Sequence, residues 1–155
     1  MKHLILTFLL FLTFGCSDDD AITNSEPQNI SPAMVAKGIM GSNNRFSTEN
    51  RVVTTNAQWQ ELMESMEAAR EGITENFNET VIDFDTHIVI ASYMIGSSGT
   101  TIDVTRVIEN DDNVVVTLEN LRKGATQDVV HPFNIVKIPR TSKPIIFEDL
   151  TDWDN

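Results

Sequence analysis

The sequence predicts an α+β domain: a twisted antiparallel β-sheet of about five or six strands, arranged as a meander, packed with one amphipathic helix. Three observations lead there. The run His87–Ile95 (HIVIASYMI) is apolar on both alternating registers, which reads as a strand covered on both faces. One stretch alone, Asn56 to about Arg70, carries apolar residues at helical spacing. From Val81 onward, short β-rich runs alternate with clusters of turn-forming residues.

In chain order, residues 1–15 read as an export signal that is not part of the domain. Met1, Lys2 and His3 make a short basic start, and Leu4 to Phe14 is an unbroken apolar run. Crossing a bilayer takes about 20 apolar residues, so this run is too short to span but suits secretion. It ends in Leu12-Thr13-Phe14-Gly15-Cys16, which resembles the lipobox of bacterial lipoproteins and places a small residue directly before the chain's only cysteine. Cys16 is therefore the expected lipidation site, and acyl chains there would tether the protein to a membrane without crossing it. Ser17, Asp18, Asp19 and Asp20 follow at once. Clustered like charges stay solvated and extended. These four residues also resemble the acidic export signal that sends some lipoproteins to the outer face of the bacterial outer membrane. Residues 16–33 are polar, contain Pro27 and Pro32, and lack periodicity, so they are expected to form a flexible tether. Residues 34–155 form the expected single globular domain, large enough to carry its core without disulfides.

Within that domain, Met34 to Gly41 reads as an edge strand weakened by Gly38, and Ser42 to Asn50 as a loop. Thr55 stands three residues before Gln58, a capping-box spacing. Trp59, Leu62, Met63 and Met66 then form one helical stripe, and Gly72 ends the helix. A stripe of this kind is core far more often than a ligand site. After the central run, Gly96-Ser97-Ser98-Gly99 is a turn. Thr100 to Glu109 and Val114 to Glu119 make a hairpin around Asn110-Asp111-Asp112-Asn113, whose side chains favour turns. Arg106 interrupts the apolar register of the first hairpin strand and marks a bulge or a strand end. Leu121 to Val130 reads as a loop, Pro132 to Ile138 as a strand, and Ile145-Ile146-Phe147 as a last apolar run before an acidic tail.

The chemistry on offer is sparse. A net charge of −12 repels phosphate backbones and anionic lipid heads, so no nucleic acid is expected as a partner. With His3 in the export signal, His87 and His131 are the remaining histidines, and no spacing supplies the three or four ligands a metal site needs. The serines lie outside any nucleophile elbow. Asp83 and Asp85 share a face if they lie in a strand, but read better as turn residues before one. Asp111 and Asp112 lack the glycine and distal Glu of a calcium loop. No cofactor, no metal and no catalytic residue is expected.

Trp59 in a helix, Val81-Ile82-Asp83-Phe84 before an apolar strand ending at Gly96, a small-residue turn, a hairpin, and Gln127 followed by Pro132-Phe133-x-Ile135-Val136 come in an order that resembles the C-terminal domain of the protease complex subunit PrcB family. The resemblance covers about Arg51 to Ile138. It departs from the family at the turn, where a Gly-Gly-Tyr ending is replaced by Gly99-Thr100-Thr101-Ile102. It implies a cell-envelope lipoprotein that associates with, stabilises or helps mature a protease, with no catalytic residues of its own. The expected function is therefore a non-enzymatic, surface-anchored binding or accessory subunit of an envelope protease complex. Its contact is expected at Gly96, Ser97, Ser98, Gly99, Thr100 and Thr101 together with an exposed sheet edge. The alternative is a protease inhibitor or ligand-capture lipoprotein, since a helix followed by a meander also resembles cystatin-like topology.

Overall fold

The computed structural model describes residues 26–40, 46–122, 124 and 127–151. The expected export signal, Cys16 and the Ser17–Asp20 signal lie outside the described residues. The elements are β1 (Gln28–Asn29), β2 (Ala33–Ile39), β3 (Glu49–Val53), α1 (Asn56–Ala69), a 3-10 turn (Ile73–Asn76), β4 (His87–Tyr93), β5 (Gly96–Ser97), β6 (Asp103–Glu109), β7 (Val114–Glu119), β8 (Val129–Val130), β9 (Pro132–Pro139) and β10 (Ile145–Asp149).

β4 divides the core in two. It lies inside a four-stranded antiparallel sheet of order β2-β9-β4-β3. Val89, Ala91 and Tyr93 join Val53, Phe133 and Ile135 in a cluster with Trp59, Leu62 and Met66 of α1. Ile88 and Ile90 point the other way, into a second cluster with Val136 and Ile138 and with Val107, Val114, Val116 and Leu118 of another sheet. Side chains alternate along a strand, so a strand apolar on both registers needs two covers. Here one is a helix and the other a sheet.

α1 forms where its stripe was expected. Thr55 caps it by accepting from Gln58 N at 3.3 Å, and Trp59, Leu62, Met66 and Ala69 are buried. The reach-back half of the box lands one residue early: Gln58 Oε1 accepts from Thr54 N at 2.9 Å, not from the cap residue. Arg70 follows in extended geometry, and Gly72 takes φ +75°, a left-handed conformation that glycine adopts without a Cβ penalty.

The α+β class with a single helix holds among the described residues, but the sheet is divided. The second four-stranded sheet has order β1-β6-β7-β10, and β5 with β8 makes a separate two-stranded ribbon. The β6–β7 hairpin forms around Asn110, whose N–H donates to Asn113 O at 2.8 Å. Its register shifts between Val104 and Arg106, at the interruption seen in the sequence. β10 does not extend a meander. It returns to pair parallel with β7, so the sheet is mixed. The fold also includes residues before Met34, inside the expected tether, because Gln28 and Asn29 pair with Glu109 and Ile108 and Ile30 packs on the second cluster.

The link after α1 is fastened by Glu67. Its Oε2 accepts from Gly72 N at 2.7 Å, and its Oε1 from Thr74 N at 2.8 Å and from the Thr74 hydroxyl. The Thr74 hydroxyl, then the two backbone N–H groups, hold this carboxyl below its ordinary value. A pKa lower in the folded than in the unfolded state gives stabilisation that is complete above the unfolded value and lost as pH falls through the folded one. Glu67→Gln is therefore expected to lower Tm at neutral pH. Its melts should draw closer to those of the parent as pH falls from about 4.5 through the lowered value of this carboxyl, in a Tm series across the acid range.

Candidate functional site

The turn expected to bind a partner is locked to a second segment rather than free. β4 ends at Tyr93, and Gly96 and Ser97 pair antiparallel with Val130 and Val129. Ser98 N donates to Asp128 O at 3.0 Å, Thr100 N to Ser97 O at 2.9 Å, and Thr101 N to Arg122 O at 2.9 Å. In return Arg122 N donates to Thr101 Oγ1 at 3.2 Å and Gly124 N to Thr100 Oγ1 at 2.9 Å. Gly99 turns the chain with φ +96°. Thr100 is buried at the centre, while Gly96 to Gly99 are half-buried. The stretch read from sequence as a loop, Leu121 to Val130, thus supplies the other half of the site.

A cleft of about 210 Å³ opens beside this lock. Ile102, Pro132 and Phe133 give it apolar walls, and Gly99, Thr100 and Thr101 form one side. Lys37, Gly38 and Ile39 of β2 form the other. Gly38 faces the Phe133 ring so closely that an added Cβ would lie 3.2 Å from two ring carbons. Asp103 organises the polar rim. Its Oδ1 pairs with Lys37 Nζ and its Oδ2 accepts from Thr101 Oγ1 at 2.7 Å. Asp103 is buried, so it needs both partners. Arg122 adds an exposed cation at the mouth. Asn134, under the same end of the sheet, donates through Nδ2 to Ile102 O at 3.2 Å and so ties the end of the turn segment to β9. An apolar wall under a rim that carries the Lys37–Asp103 pair and the Arg122 cation suits a hydrophobic side chain next to a polar or acidic group.

The edge of β2 that adjoins the cleft is already occupied. Asn78 N donates to Val35 O at 2.8 Å, Asn78 Nδ2 to Met34 O at 3.1 Å, and Arg70 Nη1 to Ile39 O at 2.7 Å. A partner strand would have to displace all three, so this edge is guarded.

The other chemical candidates are held apart or tied into turns. The antiparallel register sets His87 opposite Pro139 and Tyr93 opposite Phe133, which places His131, two residues beyond Phe133, at the far end of the sheet from His87, on the order of 25 Å away at 3.3 Å per residue. Asp83 makes a turn: its Oδ1 accepts from Asp85 N at 3.0 Å and its Oδ2 from Thr86 Oγ1 at 2.8 Å. The Thr86 hydroxyl first, then the Asp85 N–H, lower the Asp83 pKa. Ser97 Oγ lies 3.4 Å from Thr100 Oγ1, another hydroxyl and not a base. Burial pushes the Tyr93 phenol well above its ordinary pKa. Among the described residues, no group of three or more His, Cys, Asp or Glu could hold a metal ion. No described helix is long and apolar enough to cross a membrane.

No family model matches this chain, and no match was found to a curated protein or to a solved structure.

Proposed function

We propose that this protein is a non-enzymatic lipoprotein, anchored through Cys16 at the surface of the bacterial outer membrane, that binds a protein partner and serves an envelope protease complex as an accessory subunit. The observation that carries the binding role is the cleft between Gly99–Ile102 and β2. It is a small apolar recess with Lys37 and Arg122 at its rim, built on a turn that is fixed in advance. A fixed recess spares the ordering cost that a loose loop would pay on binding. The likeness of its feature order to the PrcB family supports the choice of a protease as partner, and the Leu12–Cys16 lipobox supports the anchor.

Capture from detergent-solubilised envelopes tests the reading. A protease is expected to co-purify with the parent protein and to be lost with Arg122→Glu, which reverses the charge at the cleft mouth. Cys16→Ser is expected to abolish incorporation of labelled palmitate and to release the protein from the membrane fraction. If palmitate labelling survives that change, the anchor assignment is wrong. If deleting the protein leaves extracellular proteolysis unchanged and no protease is captured, the partner assignment is wrong.

A further inference from the structure

A strand at the margin of a sheet exposes unpaired backbone groups unless something covers them. β1 is only two residues long, and the β2 edge carries Asn78 and Arg70. At the end of the β3 edge, Gln58 Oε1 takes the Thr54 N–H at 2.9 Å and Arg140 Nη1 reaches the Thr54 carbonyl at 3.3 Å.

Among the described residues, β10 has no such cover. Val114 N donates to Pro144 O and Leu150 N to Leu118 O, each at 2.9 Å. In the parallel register that runs from Ile145↔Val114 to Asp149↔Leu118, even-numbered residues therefore turn their backbone groups toward β7. Ile145, Phe147 and Asp149 turn theirs outward, and no described residue bonds to those outward groups. Ile146 and Leu150, 48% and 53% exposed, alternate onto the outer face of the sheet.

We propose that β10 pairs antiparallel with β10 of a second copy about a twofold axis at Phe147, joining the two β1-β6-β7-β10 sheets into one. Phe147 is the middle of the three outward residues, so an axis there sets Ile145 against the partner's Asp149 and uses all three, for about six hydrogen bonds. The same register separates the carboxylates. Glu148 faces the partner's Ile146 and keeps its own contacts, Arg106 Nη2 at 3.3 Å and Thr117 Oγ1 at 2.9 Å. Ile146 comes diagonal to the partner's Ile146 and the partner's Leu150, within reach across neighbouring strands. Two of the chain's exposed large hydrophobics are thereby covered, and the half-buried Phe147 continues the inter-sheet core across the axis. A net charge of −12 on each copy opposes the approach, so salt should strengthen the pairing.

Light scattering of the full chain in detergent, over a concentration series at low and high salt, reads this directly. The expected result is the protein mass of two copies at micromolar concentration, favoured by salt. Phe147→Pro removes an outward N–H without removing a bond to β7, and Ile146→Glu sets a carboxylate against the partner's Glu148. Each is expected to weaken association at least about tenfold. If Phe147→Pro loses its circular dichroism, Ile146→Glu decides alone, because its side chain is exposed. A one-copy mass throughout overturns the proposal, as does a two-copy mass that the variants leave unchanged.

Discussion

Trp59→Ala is expected to cost about 3–5 kcal/mol, the largest loss from any single side-chain truncation in this protein. The indole is fully buried between α1 and the β2-β9-β4-β3 sheet, in the cluster that also holds Leu62, Met66 and Tyr93. Its Nε1 donates to Thr80 O at 2.8 Å, which fixes the link between α1 and β4 against the helix. The Phe77 ring lies 6.1 Å away, tilted by 39°. Truncation leaves a cavity and also removes the hydrogen bond that ties Thr80 to the helix, two penalties of different kind. Domains of this size have about 5–15 kcal/mol of stability in all, so the variant should sit near the folding threshold. Trp59→Phe separates the two penalties: it keeps most of the apolar bulk and loses the hydrogen bond to a carbonyl that water can reach, for a cost of about 0.5–1.5 kcal/mol. Urea unfolding followed by circular dichroism measures both. A loss below about 1 kcal/mol for the alanine variant would mean that α1 is not seated as described.

The same helix shows how far the sequence could be read. Its stripe and its Thr55 cap are local patterns, so they were legible, as were the β6–β7 hairpin and the irregularity at Arg106. β4 was legible as a doubly covered strand because burial on both faces leaves no polar register. What covers its second face was not, because an apolar residue carries no record of whether a helix or a sheet will meet it. The parallel return of β10 and the pairing of Gln28 with Glu109 are long-range, and the exposed, polar β1 offers no hydrophobic signal at all. The site divides along the same line. Gly96 to Thr101 stood out as a small-residue turn. Its counterpart in Leu121 to Val130, the buried Asp103 and the Lys37 that pairs with it are ordinary residues on distant segments, brought together only by the two sheets. Val129-Val130, a β-branched pair, was the one local hint that this loop contains a strand.

Gly124 is where that unread half can be tested, and Gly124→Ala is expected to open the turn. An alanine Cβ there would lie 2.5 Å from the carbonyl oxygens of Ser97 and Ser98, closer than backbone atoms tolerate, with the Ser97 hydroxyl also in the way. No side-chain rotation relieves a clash with two carbonyls, so the strands of the lock must part, at a cost of about 1–3 kcal/mol. Gly99→Ala attacks the same unit differently. The space is adequate, with Gly124 Cα at 3.6 Å, but φ +96° strains any residue with a Cβ, by roughly 1–2 kcal/mol. In both variants the amides of Ser98 and Thr101 should exchange faster with solvent, since each donates across the lock, while those of the β4–β9 ladder keep their protection. A lock that opens as one piece can be opened only once, so the double variant should lose less stability than the two single losses combined. Full additivity would mean that the turn and its counterpart yield independently. The cleft would then be walled by two loose segments, and the case for a binding recess fixed in advance would fail with it.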